Sequence, residues 1–184
     1  MSMIIAIKYN GNIYFGADSQ RVMSRMKTYN FNESNYNVWK NKNLENGLIA
    51  SVGQKRDRDI VYTSNVIPEK ITELTHKYVV RVFTQNIINE LIEFKRIKPD
   101  DGIEMKSRFM IAQKDKLFVV DFDGAVIEID DFYAISDADE VAMGSLHTTV
   151  DQEPNERIIQ ASRVAAKTNI YVGFPILLIN TKDL

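Results

Sequence analysis

Reactive side chains are scarce in this sequence. Its 184 residues include no cysteine and only two histidines, His76 and His147. Without cysteine there is no disulfide, thiolate nucleophile, Cys-ligated zinc or iron–sulfur cluster, and two imidazoles do not make a histidine-rich metal site. Chemistry therefore falls to hydroxyls, amines and carboxylates, and no cofactor or metal is expected. A surplus of positive charge is also missing. The 23 Lys and Arg residues stand against 25 Asp and Glu, a net charge of -2, so nucleic acid is not an expected partner. No apolar run approaches the roughly 20 residues that span a bilayer, and Met1-Ser2-Met3-Ile4-Ile5 lacks the basic and long apolar regions of a secretory signal. These absences predict a soluble, cytoplasmic protein with no membrane partner.

What is present is globular in composition, 45% hydrophobic and 26% charged. At roughly 150 residues per domain the length predicts one domain over 1–184. Two apolar runs, 3–9 and 12–17, flank Asn10-Gly11, the dipeptide suited to a tight type I′ hairpin turn. A polar excursion to about Asn37 has little periodicity. A second hairpin is expected from 38–44 and 48–52 around Glu45-Asn46-Gly47. Spacing allows a helix over 55–65, Pro68 opens another segment, and Leu74, Tyr78, Val82, Phe83, Ile87, Leu91 and Phe94 mark a long amphipathic helix that Pro99 ends. A three-stranded meander over 108–129, a short strand over 133–136, helices over 138–146 and 154–167 (the second capped by Asp151), and a last strand over 174–179 complete the reading. This order predicts α+β with helix-covered sheets rather than a doubly wound fold. His76 and His147 read as helix-surface and helix-end residues, and Lys55-Arg56-Asp57-Arg58-Asp59 as a solvated helix start.

Several blocks carry a resemblance. Ile4-Ile5-Ala6-Ile7, Asn10-Gly11 and Gly16-Ala17-Asp18-Ser19 together resemble the amino-terminal double strand of proteasome β-type subunits and of the related bacterial ring peptidase that works with an ATPase. Leu48-Ile49-Ala50-Ser51-Val52-Gly53 with Asp57, then the run from Phe118 to Gly124, then Tyr133-Ala134-Ile135-Ser136, follow in the family's order across essentially the whole chain. The resemblance implies a four-layer α-β-β-α sandwich. It also implies an amino-terminal nucleophile hydrolase acting on peptides or unfolded protein, assembly into a homo-oligomeric ring or similar body, and an ATPase as a candidate partner.

In that family a hydroxyl on the first mature residue attacks a carbonyl while the free α-amine serves as base. An α-amine has a pKa of about 7.7 to 8, close enough to neutrality to accept the hydroxyl proton. Ser2 takes the nucleophile position, which requires removal of Met1, and Asp18 matches the family's acid in that register. The resemblance implies that Asp18 holds a lysine, with Lys40 the first candidate and Lys42 the alternative. It also implies that Gly53 brings a backbone amide to the oxyanion, its missing Cβ permitting close substrate approach. Ser51 and Gln20 are candidates for the cleft lining.

The sequence also departs from the family. Serine replaces the usual threonine and loses the methyl that fixes the hydroxyl rotamer. Ser136-Asp137-Ala138 stands where the family has a Gly-Ser-Gly turn, and Asn169 and Val172 replace an acid and a serine. Asp137 is a candidate for orienting the amine from a neighbouring strand. Two other readings stay open: a catalytically silent structural or interaction subunit, and an amidase acting on a small substrate.

Overall fold

Turn chemistry decides the first hairpin. In the computed structural model, which describes residues 2–23, 26–29 and 37–184 (21–23 and 26–29 by backbone alone), β1 (Ile4–Tyr9) and β2 (Asn12–Asp18) meet through Asn10 and Gly11. Both turn residues sit at positive φ, 48° and 75°, as a type I′ turn requires. A two-residue loop sets the pairing register, here Ile4 opposite Ala17. β10 (Phe132–Ile135) pairs with the other side of β1 and β11 (Ile176–Asn180) with the other side of β2, giving an antiparallel sheet of order β10-β1-β2-β11.

A second antiparallel sheet runs β5 (Val38–Lys40), β6 (Gly47–Gly53), β7 (Ser107–Gln113), β8 (Lys116–Val120) and β9 (Val126–Glu128), in that order. β3 (Gln20–Met23) and β4 (Met26–Tyr29) form a separate hairpin. The helices are α1 (Lys55–Thr63), α2 (His76–Tyr78), α3 (Gln85–Glu93), α4 (Asp139–His147) and α5 (Pro154–Thr168). The fold is α+β.

Alternation along the strands sorts the buried residues into three cores. Ile4, Ala17 and Ile135 of the first sheet pack with Ala50, Val52 and Met110 of the second. The opposite face of the first sheet, with Met3, Ile5 and Ile7, packs on Leu146 of α4 and Ile158 of α5. The opposite face of the second sheet, with Ile49, Phe109 and Ile111, packs on Phe83, Ile87 and Leu91. Both faces of β1 are thus covered, which explains its unbroken apolar run.

Several expectations are corrected in detail. The second hairpin has a short first strand, because Leu44 leaves the ladder, is buried, and bridges to Ile71. No helix begins at Pro68; Val66 and Ile67 are fully buried in the core beside the helices instead. The long amphipathic helix is α2 and α3 joined by a π-helical stretch, Val79–Thr84, which widens the turn by about one residue. Glu153, not Asp151, precedes α5, and Pro154 occupies its first turn. The start of α1 is not a solvated charge run. Asp57 is buried and accepts from Arg96 Nε (2.6 Å) and Ser107 Oγ (3.1 Å), while the Arg58 guanidinium lies over the Trp39 and Tyr62 rings.

Candidate active site

The register of β1 determines the surroundings of Ser2. Its first ladder partners are Ala17 on β2 and Ile135 on β10, both opposite Ile4. Continuing each ladder by two residues brings Ser2 opposite Ser19 on one side and Asp137 on the other. The Asp18 amide donates to the Met3 carbonyl (3.2 Å), so the β2 ladder does continue past its last strand pair. Ser2 and Ser19 continue the alternation of Ile4 and Ala17, the face turned toward the second sheet, whereas Asp137 lies in the turn that follows β10. Ser2 and Ser19 are buried and Asp137 is exposed. The Ser19 hydroxyl is enclosed without a hydrogen-bond partner among the described residues.

Asp18, next along β2, is held by amides. Met3 N–H donates to Oδ1 (2.8 Å) and Gly173 N–H to Oδ2 (3.2 Å). The carboxylate is 2% exposed, and burial pushes its pKa up to about 7, against the opposing pull of the Met3, Gly173 and Gln20 amides. No described side chain forms an ion pair with it. At Gly173 a Cβ would stand 2.1 Å from Gln20 Oε1, so any larger residue there displaces the end of the Gln20 side chain. The Gln20 amide group in turn donates to the Ile170 carbonyl. The segment from Asn169 to Gly173 is thereby fastened onto the end of β2.

Asp137 sits on a turn tied at three points. Ser136 Oγ accepts from the Ala138 amide (3.1 Å), the Asp137 carbonyl accepts from Asn169 Nδ2 (3.3 Å), and the Ser136 carbonyl accepts from Arg108 Nη2 (2.8 Å). Arg108 belongs to β7 of the other sheet, opposite Val52, and also pairs with Asp139 (2.7 Å). The Asp137 carboxylate itself makes no hydrogen bond among the described residues. Arg108, Ser19 and Gly173 were not legible as site residues in the sequence. The available signals were a charged residue opening an otherwise apolar strand, a serine at the end of a strand, and a lone glycine after α5.

The lysines do not join this group. Lys40 lies opposite Leu48, is exposed, and forms no ion pair with Asp18; Lys42, beyond the strand, is also exposed. The physical reason is strand direction. The Asn37 carbonyl accepts from the Ser51 amide (2.9 Å) near the Gly53 end of β6, and each later residue of β5 lies about 3.3 Å farther from that end. Gly53 is at φ 134°, and a Cβ there would meet the Lys106 carbonyl at 2.4 Å and Ser107 Oγ at 2.5 Å. Its missing side chain therefore makes room for the start of β7. Two cavities, of about 590 and 530 Å³, share Trp39, Lys40 and Tyr62 and lie on the α1 and β11 flanks of β5. Neither is lined by Ser2, Asp18 or Asp137. Among the described residues no group of His, Asp and Glu is arranged to hold a metal ion, and no helix is long and apolar enough to cross a membrane.

No protein-family model and no curated protein matches the sequence. Solved structures do match the fold. BPH from Thiobacillus denitrificans superposes with a TM-score of 0.75 at 16% identity, over 97% of this chain and 96% of that one, and has been determined in complex with epoxomicin. HslV from Trypanosoma brucei gives 0.68 at 14%, covering 97% and 98%. Anbu from Pseudomonas aeruginosa, solved as a helical assembly, gives 0.69 at 12%, covering 97% and 80%. The proteasome-like fold expected from the sequence is the fold of this chain.

Proposed function

We propose that this proteasome-like chain is an amino-terminal nucleophile peptidase subunit, in which Ser2, exposed as the first residue by loss of Met1, hydrolyses peptide bonds. The observation that carries the reading is the register of β1, whose first pairs are Ile4 with Ala17 and with Ile135: Ser2 lies two residues before them, buried, and one residue from the amide that Asp18 binds. The three cores support a four-layer α-β-β-α arrangement. The helical assembly of the neighbour Anbu supports a homo-oligomeric assembly, a ring or a related form; in this reading it works in the cytoplasm on unfolded or peptide substrate, with an ATPase as candidate partner.

In this reading the Ser2 hydroxyl adds to the peptide carbonyl carbon while the freed α-amine takes its proton. The ammonium so formed lies opposite Asp137, whose carboxylate orients it. An amide at the Gly53 end of β6 donates to the oxyanion. The ammonium then returns the proton to the departing amine, the C–N bond breaks, and an ester on Ser2 remains. Water attacks that ester, its proton passes to the α-amine, and release of the acid restores Ser2. Asp18 acts through the backbone, fixing Met3 and the Gly173 segment. Lys40 has no part in this scheme.

One observation favours the silent-subunit reading: Asp18 is held by amides and meets no described cation, while Val172, at a position where the family has a serine, is buried in the core. The two readings part on two measurements. Intact mass of the protein made in its own cell is expected to lack Met1, and epoxomicin is then expected to add to Ser2 and not to a Ser2→Ala variant. Retained Met1, or no adduct on the processed protein, would leave the silent subunit standing.

A further inference from the structure

We infer that Arg108 is the positioning residue of this site: reaching across from the second sheet, it fixes the Ser136-Asp137-Ala138 turn so that the Asp137 carboxylate stands beside Ser2. The inference rests on the peptidase reading and adds a residue to it. β7 carries Met110 and Ala112 into the core between the sheets, and alternation puts Arg108 on that same face at the open end. Its side chain is 13% exposed, and a single nitrogen, Nη2, serves both the Ser136 carbonyl at 2.8 Å and Asp139 Oδ2 at 2.7 Å. The guanidinium is braced from another direction by the Phe122 ring, 5.3 Å away. Arg108 is thus a cation held in place that bridges the end of β10 in the opposite sheet and the first turn of the helix that follows it, α4.

The consequence falls on Asp137. Its carboxylate has no hydrogen bond of its own among the described residues, so the backbone of the turn sets the space that this side chain can reach. Asn169 and the Ser136 hydroxyl tie the later half of that turn, and Arg108 alone ties the Ser136 carbonyl within this group of contacts. Ser136 is buried, so removing Arg108 leaves that carbonyl without its donor, and the turn must shift to find another. A displacement of about 1 Å at a reacting group reaches a rate effect of about a hundredfold. In the peptidase reading Asp137 acts on the amine of Ser2 and not on the substrate, so the effect is expected in the chemical step.

The test uses the processed full-length protein and epoxomicin, with adduct formation followed by intact mass at several concentrations. Arg108→Met is expected to lower the maximal rate of Ser2 modification by about tenfold or more while the half-saturating concentration stays within about twofold. Arg108→Lys, which keeps a cation able to reach one acceptor, is expected to recover to within about threefold of wild type. Asp137→Asn is expected to show the same loss, and the double variant no further loss, because both act through one geometry. If Arg108→Met is not recovered folded, Arg108→Gln replaces it. An Arg108 variant that reacts at the wild-type rate, a Lys variant no better than Met, or losses that multiply in the double variant overturns the assignment. A processed wild type that takes no adduct overturns the peptidase reading and the assignment with it, whereas the other three outcomes leave that reading intact.

Discussion

Two regions of the molecule are rich in polar groups, the amino-terminal end of the first sheet and the hairpin of β5 and β6, and they are built in opposite ways. At the first, three strand ends converge, and Asp18, Gln20, Asn169 and Ser136 spend their polar atoms fastening backbone: the Met3 and Gly173 amides, the Ile170 and Asp137 carbonyls, the Ala138 amide. Among the described residues, the side chains of Ser2, Ser19 and Asp137 are left without partners. At the second, Asn41 and Asn43 also fasten backbone, at the Asn43 amide and the Ile67 carbonyl, but the exposed Lys40 and Lys42 follow one another along a surface and lead away from the end where the strands meet. A chemical site needs free groups gathered on a fixed frame. Only the first region gathers them from more than one strand.

The largest test of that contrast is the nucleophile. Ser2→Ala in protein free of Met1 is expected to reduce peptide hydrolysis and epoxomicin modification by about a thousandfold or more, the scale seen when a member of a nucleophile–base unit is removed. Residual activity within tenfold of wild type would move the chemistry elsewhere.

Next in size are two glycines, one in each region. Gly53→Ala places a Cβ against backbone atoms at a φ of 134°, so neither partner can yield, and a loss of about 2–3 kcal/mol in chemical denaturation is expected. Gly173→Ala meets the tip of Gln20, which can turn aside, so its expected loss is smaller, about 1 kcal/mol. Because that movement breaks the Gln20 contact with Ile170, it should also slow Ser2 modification. The reverse order in stability would contradict the packing described for β7.

A third test concerns the buried acid. Below the ordinary carboxyl value of 3.8 Asp18 is protonated folded and unfolded alike. Between there and about 7 the unfolded chain has released the proton while the folded protein keeps it, so stability falls with rising pH, at up to about 1.4 kcal/mol per pH unit. Above about 7 both states are ionised and this contribution to the slope vanishes. Asp18→Asn is expected to flatten the decline of Tm between pH 4 and 7 relative to wild type. Parallel curves would mean that Asp18 is ionised in the fold throughout.

Much of this architecture could be read from local signals. Asn10-Gly11 fixed the first register, and from it the alignment of Ser2 with Asp18; the period of the long helix and the meander turns placed the remaining layers. Other features depended on contacts distant in sequence. Nothing local to Gly53 reveals that Ser107 fills the space beside it, since the two are brought together only when β6 pairs with β7. Nothing around Arg108 reveals the Ser136 carbonyl, 28 residues away on the other sheet. The place of Lys40 depends on a distant contact too. The resemblance made it the first candidate for the lysine beside Asp18, and the pairing of β5 with β6 puts it opposite Leu48, with no ion pair to Asp18 among the described residues.

The smallest expected effect is therefore also the sharpest check on the contrast. Lys40→Ala and Lys42→Ala are each expected to change the rate of Ser2 modification by less than about twofold, because an exposed lysine without an ion pair contributes little beyond its own hydration. The measurement separates two origins for a proton affinity at Ser2. If a lysine ammonium lowers it, removing the right lysine must shift the lower limb of the pH–rate profile and reduce the rate at neutral pH by tenfold or more, as loss of an adjacent charge does. If the free amine and Asp137 set it, the profile stays where it is for both lysine variants and moves for Asp137→Asn. A tenfold loss at Lys40 would show that the hairpin reaches the strand ends in the working protein, and the division between a converging and a diverging region would have to be abandoned.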